Sequence, residues 1–156
     1  MFEEFRDPLL RYVLTLGLQI HDAEEIVQEV FLALFQHLRA GKPRTNLKGW
    51  IFRVGHNLSL KQRLRGGRRD RVHSPGEAAL HQLHPQMNPE EQFAESQHRK
   101  QLLEEVENLP EVDRCCLYLR AEGLRYREIA DILNISLGGV SLALTRSLAR
   151  LREVSE

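Results

Sequence analysis

The sequence predicts an all-α protein in two parts, a helical bundle followed by a helix-turn-helix domain. Three observations carry this. Apolar residues recur at three- and four-residue spacing through most of the chain, without strand-like alternation of any length. The stretch Tyr126–Leu151 reads as two helices joined by a tight turn. From residue 66 to residue 88 the chain becomes polar, His-rich and punctuated by Pro and Gly, as a flexible linker does. The predicted parts are therefore 1–65, a linker at 66–88, and 89–156.

Phe2, Phe5, Leu9, Leu10, Val13 and Leu14 fit one face of a first helix, where Pro8 is tolerable only in an early turn. A second helix starts at His21–Glu25, with Asp22 as the expected cap and Glu25 at capping-box spacing. Ile26, Val27, Val30, Phe31, Leu34 and Leu38 give it an apolar stripe, and Glu24, Glu25, Gln28 and Glu29 form the opposite face. An acidic first turn complements the helix dipole. The same face is also a candidate docking surface for a basic or polar partner helix.

Gly41–Arg44 is a loop, and Asn46 is placed to cap a third helix containing Trp50, Ile51, Val54 and Leu58. Lys48, Arg53, Lys61, Arg63, Arg65, Arg68, Arg69 and Arg71 surround it, opposed only by Asp70. Charge runs are most often solvated faces. Beside Trp50, Phe52 and Asn57, this run suits phosphate contacts with base stacking.

In the second half, Pro89 after Asn88 opens a helix striped by Leu102, Leu103, Val106 and Leu109. Leu109-Pro110 restarts the chain into a helix with Val112, Cys115, Cys116 and Leu119, which Gly123 ends. Ile129, Ala130, Ile132 and Leu133 form the apolar face of the next helix. Asn134 tolerates the left-handed conformation that stops it, and Ser136 is placed to cap the helix that follows. Val140, Leu144, Leu148 and Leu151 stripe that last helix; Ala130 permits close approach and Ile135 plugs the corner. The second helix of such a pair normally enters the DNA major groove.

The totals set limits. With 156 residues, 42% hydrophobic and 28% charged, the chain has an ordinary globular composition. No apolar run approaches the ~20 residues that span a bilayer. Glu3 and Glu4 stand where an export signal would be basic. A cytoplasmic protein with no membrane insertion is expected. The adjacent Cys115 and Cys116 read as structural thiols in a reducing compartment. A net charge of zero hides an asymmetry: residues 1–74 carry 13 Lys and Arg against 8 Asp and Glu, and residues 75–156 carry 9 against 14. A basic first half points to a polyanion partner. There is no Gly-rich phosphate loop or nucleophile elbow, and His73, His81, His84 and His98 lack partners at metal spacing. Neither catalytic residues nor a cofactor nor a metal is expected.

With both halves read, the sequence resembles the extracytoplasmic-function sigma factors of bacterial RNA polymerase, small members of the sigma-seventy superfamily. Asp22–Phe31 looks like that family's region-two signature, and Leu47–Leu58 with the basic run looks like its promoter-melting and minus-ten segment. Leu109-Pro110 through Arg152 looks like region four, an all-helical, winged-helix-like helix-turn-helix domain. The resemblance implies a subunit that directs polymerase to promoters for transcription initiation, without catalysis of its own. By it, Asp22, Glu25, Gln28 and Glu29 face the largest subunit of core RNA polymerase. Trp50, Arg53, Asn57, Lys61, Arg63 and Arg65 hold minus-ten promoter DNA. Region four binds the flap of the second-largest subunit and reads the minus-thirty-five element through Ser136, Gly139, Ser141, Thr145, Arg146 and Arg150. An anti-sigma factor is a further implied partner.

One departure stands out. The family's recognition helix usually carries a basic residue just after the Val and another two positions on; here those positions hold Ser141 and Ala143, and Gly138-Gly139 replaces the usual Gly-Thr. Two rival readings follow: a sigma-like interaction protein with impaired minus-thirty-five recognition, and a stand-alone helix-turn-helix repressor.

Overall fold

The computed structural model describes residues 2–66 and 88–155. Among these are seven helices and no strand: α1 (Phe2–Thr15), α2 (Ile20–Arg39), α3 (Leu47–Gly66), α4 (Pro89–Glu107), α5 (Glu111–Ala121), α6 (Tyr126–Leu133) and α7 (Leu137–Ser155). The expected linker lies outside the described residues, apart from Gly66, which closes α3, and Asn88, which caps α4.

Local chemistry explains most of the helix ends. Asn88 Oδ1 accepts from Glu91 N at 2.7 Å, and Glu91 reaches back to Asn88 N, so two orphan donors at the start of α4 are satisfied at once. Asn134 adopts the left-handed conformation after α6, and Ile135 N bonds back to Ala130 O at 3.1 Å. Ser136 Oγ then accepts from Gly139 N at 3.0 Å and opens α7. Asn46, also left-handed, accepts from Gly49 N at 3.4 Å ahead of α3.

Three expectations are corrected. Asp22 is not a cap: α2 begins at Ile20 behind an extended Gln19, so Asp22 lies within the first turn. Packing of the half-buried Ile20 against the core favours the earlier start. Pro8 sits in the middle of α1. The single missing N–H there is offset by burial of Leu9, Tyr12, Val13 and Leu14 just beyond it. On α7 the inner face is Val140, Ala143, Leu144 and Ser147, while Leu148 is half exposed. The 3.6-residue period carries the face from 144 to 147, where Ser147 Oγ bonds Ala143 O at 2.7 Å and so is buried without an orphan hydroxyl.

The core is continuous across both halves. α1 packs against α2, α3 and α5; α5 packs against α6 and α7; α6 also touches α3. Gly55 is required where α3 meets α1, since a Cβ there would lie 2.8 Å from Leu9 Cδ1. Tyr12 is fully buried at this crossing, edge-on to Phe52, with its hydroxyl sharing a 2.9 Å hydrogen bond with His56 Nδ1. No single helix among the described residues is long and apolar enough to cross a membrane.

Candidate nucleic-acid interface

Helix α2 presents the polar face that its sequence pattern requires. Glu24, Glu25, Gln28 and Glu29 are exposed and Asp22 is partly so, opposite the buried Ala23, Ile26, Val27, Val30 and Leu34. Leu32 and Phe35 continue this outer face, 60% and 54% exposed. They were missed because the apolar stripe drew attention inward. At 100° per residue both fall beside Gln28 rather than beside Val30, so the signal was in the sequence.

Helix α3 carries the basic face. Arg53, Asn57, Lys61 and Arg65 are exposed along its outer side. Trp50 is half-buried against the His37 ring, with centroids 4.8 Å apart, at one wall of a cleft of about 210 Å³. Thr45, Asn46 and Arg53 line the same cleft, and Glu128, Asp131 and Ile132 of α6 form its far wall. Two expectations shift here. Phe52 is fully buried against Tyr12 and is core, so it is not available for base stacking. Arg63 is turned away from solvent into an ion pair with Glu111 of α5 at 2.9 Å.

The helix-turn-helix α6–α7 exposes Ser136, Ser141, Leu142 and Thr145, with Gly139 half exposed between them. Gly139 N is already taken by Ser136 Oγ. Both arginines expected to contact DNA are engaged within the domain. Arg146 forms a two-pronged pair with Asp113, Nε to Oδ2 at 2.6 Å and Nη2 to Oδ1 at 2.7 Å. The Asp113 carboxylate is 2% exposed. That pairing raises the Arg146 pKa above its ordinary value, the hydrogen bond to Asp113 being the main cause. Arg150 is paired with Glu105 on α4 at 2.6 Å. Ala143 is fully buried, so this position faces the core and not a base edge. Of positions 141–143, Ser141 and Leu142 lie at the outer surface.

The cysteines are structural. Burial pushes the Cys115 thiol up to about 12 and Cys116 up to about 11, leaving little thiolate. Among the described residues no group of three His, Cys, Asp or Glu side chains is placed to hold a metal ion.

This two-part helical organisation, with a helix-turn-helix in its second part, matches a known class, the sigma-70 proteins. Sigma-70 region 2 matches residues 1–69 and Sigma-70, region 4 matches residues 99–151, in that order. The chain belongs to the sigma-70 family. Within it the chain is of the extracytoplasmic-function type, the type of its similar curated relatives. The ECF RNA polymerase sigma factor SigE of Mycolicibacterium smegmatis is 30% identical over 154 residues, covering 98% of this chain and 59% of that protein. This chain thus spans little more than half the length of that relative. The ECF RNA polymerase sigma-E factor of Escherichia coli K12 is 26% identical over 133 residues, covering 81% of this chain and 70% of that one. The sigma factor RpoE from Bartonella quintana, solved in complex with the anti-sigma factor NepR, shares the fold. Its TM-score is 0.60 at 19% identity, over 96% of this chain and 91% of that one.

Proposed function

We propose that this chain is a dissociable sigma subunit that brings core RNA polymerase to promoters and starts transcription, with no catalysis of its own. The observation that carries the reading is the pairing of two sigma regions in order with two chemically opposite faces, acidic on α2 and basic on α3, that internal packing leaves exposed. Residues 1–65 and 89–156 are read as its two functional domains, joined at 66–88, acting in the cytoplasm.

In this reading Asp22, Glu25, Gln28 and Glu29, extended by Leu32 and Phe35, dock on the largest polymerase subunit. An exposed apolar pair inside a polar rim is the composition of an interaction surface. Trp50, Arg53, Asn57, Lys61 and Arg65 bind the minus-ten strand, the cations on phosphate and the indole as a stacking platform. Ser136, Gly139, Ser141 and Thr145 face the minus-thirty-five element, while Arg146 and Arg150 set the seat of α7 through their ion pairs. An anti-sigma factor is proposed as a further partner; the Bartonella protein is solved with one. The test is run-off transcription with purified core polymerase on a pre-melted template. Specific transcripts that depend on this chain support the reading. Duplex binding without polymerase, and no transcripts with it, refutes it.

A further inference from the structure

Between Leu137 and Leu151, helix α7 carries only two charged side chains, Arg146 and Arg150. Both are drawn to one flank, Arg146 onto the Asp113 carboxylate of α5 and Arg150 onto Glu105 of α4. At about 100° per residue, the ridge opposite the buried Val140, Ala143, Leu144 and Ser147 is Gly138, Leu142, Thr145 and Ala149. All four are exposed, with Ser141 beside them, and Arg152 is the next exposed cation on this side. At 1.5 Å per residue the ridge runs roughly 16 Å, the length of about five stacked base pairs.

The one large side chain on this ridge is Leu142, 59% exposed. A single exposed leucine is ordinary on a protein surface. At the centre of the ridge that a helix-turn-helix turns to the major groove, it has a chemical consequence. Gly138, which opens the ridge, bears no side chain, and a Cβ there would meet only Ser136 Oγ, at 3.9 Å. A base edge can therefore come close to the first turn of α7.

In the major groove thymine alone among the bases presents a methyl group. An aliphatic side chain gains by covering that methyl. Against cytosine the same side chain buries an amino donor without a partner, and against guanine it buries two acceptors, both unfavourable. Thr145 follows Leu142 at three-residue spacing and carries a methyl of its own beside a hydroxyl. Ser141 offers a hydroxyl, which pairs with any base edge and discriminates little. Arginine is the commonest reader of guanine, and both arginines are held on the flank by carboxylates.

We propose that Leu142 and Thr145 are specificity-determining residues that read the 5-methyl groups of neighbouring thymines in the minus-thirty-five element, in place of a cationic contact to guanine. The assignment rests on the sigma reading above and deepens it. Apolar contact of this kind selects sequence and adds little affinity, so polymerase must supply the binding and α7 the choice.

The test uses holoenzyme assembled from core polymerase and the full-length chain. The probe is a duplex library randomised across the minus-thirty-five block, upstream of a fixed pre-melted segment. Bound duplexes are sequenced. The unsubstituted chain should enrich a T·A pair at two neighbouring positions. Leu142→Ala should lose one of these preferences and keep the other. Thr145→Ser, which keeps the hydroxyl and removes the methyl, should lose the second. In the selected duplex, deoxyuridine in place of one thymine removes the methyl and keeps the pairing. Affinity should fall about fourfold per methyl removed, the scale of one buried methylene-sized group, and Leu142→Ala should be indifferent at its own position. A flat selection, enrichment of guanine at these positions, or equal sensitivity to deoxyuridine with and without Leu142 overturns the assignment. Transcripts from the pre-melted template in that case leave the sigma reading standing. If Leu142→Ala weakens holoenzyme formation in a pull-down and leaves the selected sequence unchanged, the ridge is a protein contact and the methyl reading is wrong. If the chain forms no holoenzyme and starts no transcripts, the sigma reading fails and this assignment falls with it.

Discussion

The basic face of α3 divides into free and engaged cations, and this division makes a quantitative prediction. Arg53, Lys61 and Arg65 are exposed, whereas Arg63 is turned into Glu111 at 2.9 Å. Each phosphate contact on single-stranded DNA contributes about 0.7 to the slope of log affinity against log salt. Changing Arg53, Lys61 and Arg65 together to Ala should therefore flatten the slope by about 2. Between about 50 and 200 mM salt, that is about a twentyfold difference in the affinity that salt removes. Arg63→Ala alone should change the slope of the free chain little, because its charge is already matched. In the Glu111→Ala chain, where Arg63 is released, the slope should steepen by about one contact. The assay is fluorescence anisotropy of a labelled minus-ten single strand, titrated at four or five salt concentrations. If Arg63→Ala lowers the slope as much as Arg53→Ala does, the ion pair does not withdraw Arg63 from DNA. If the triple change leaves the slope unmoved, the α3 cations are solvated charges and the minus-ten assignment fails.

Changing Gln28 and Glu29 to Lys, with Leu32→Ala, should weaken binding to core polymerase in a pull-down titration. Exposed positions of this kind usually shift stability by no more than about 0.5 kcal/mol each, so urea unfolding should move little. Burial lowers the His56 pKa from the ordinary 6.5, with Arg63 adding to the lowering and Glu111 opposing it. The unfolded chain therefore takes up a proton that the folded chain resists. Stability contributed by this site should be complete above about pH 6.5 and be lost as pH falls through the lower folded value. His56→Gln should flatten that decline in urea midpoints measured from pH 7.5 to 5, and an unchanged profile would refute the assignment. Asp113→Asn and Arg146→Ala should each lower the urea midpoint, with the double change costing less than their sum, because both remove one bidentate pair. Ser141→Arg should raise the affinity of the chain for promoter duplex, while Ala143→Arg should unfold the second half, since Ala143 is fully buried. A folded, tighter-binding Ala143→Arg chain would refute that placement.

What was legible in the sequence was local. Asn88 with Glu91, Asn134 and Ser136 each act within a few residues, so spacing and side-chain chemistry are enough to place them. The outer face of α2 was equally legible, because a polar face opposite an apolar stripe needs only the helical period. The misjudged positions share another cause. Phe52 stands near Arg53 and Asn57, and Ala143 near Ser141 and Thr145, which groups both with polar positions along the chain. Their exposure is decided by α1 and by the body of the second half, which the local sequence does not contain. The early start of α2 likewise follows from packing of Ile20, with no side-chain cap on Gln19 to announce it.

The charged residues make the same point more strongly. Arg63, Arg146 and Arg150 each read as a cation next to a candidate DNA surface. Their partners Glu111, Asp113 and Glu105 lie 48, 33 and 45 residues away and read as ordinary helix-surface acids. A net charge counted along the chain cannot distinguish a cation awaiting phosphate from one matched by a distant carboxylate. The fold makes that distinction, and it leaves the first half with its free cations on α3 while taking both expected arginines from the recognition helix. Promoter affinity in the proposed role should then depend mainly on the first half, with the second adding affinity through its tether to polymerase rather than through charge on α7. That ordering is a consequence of the two ion pairs on α7, Arg146–Asp113 and Arg150–Glu105, and breaking them one at a time is the direct way to reverse it.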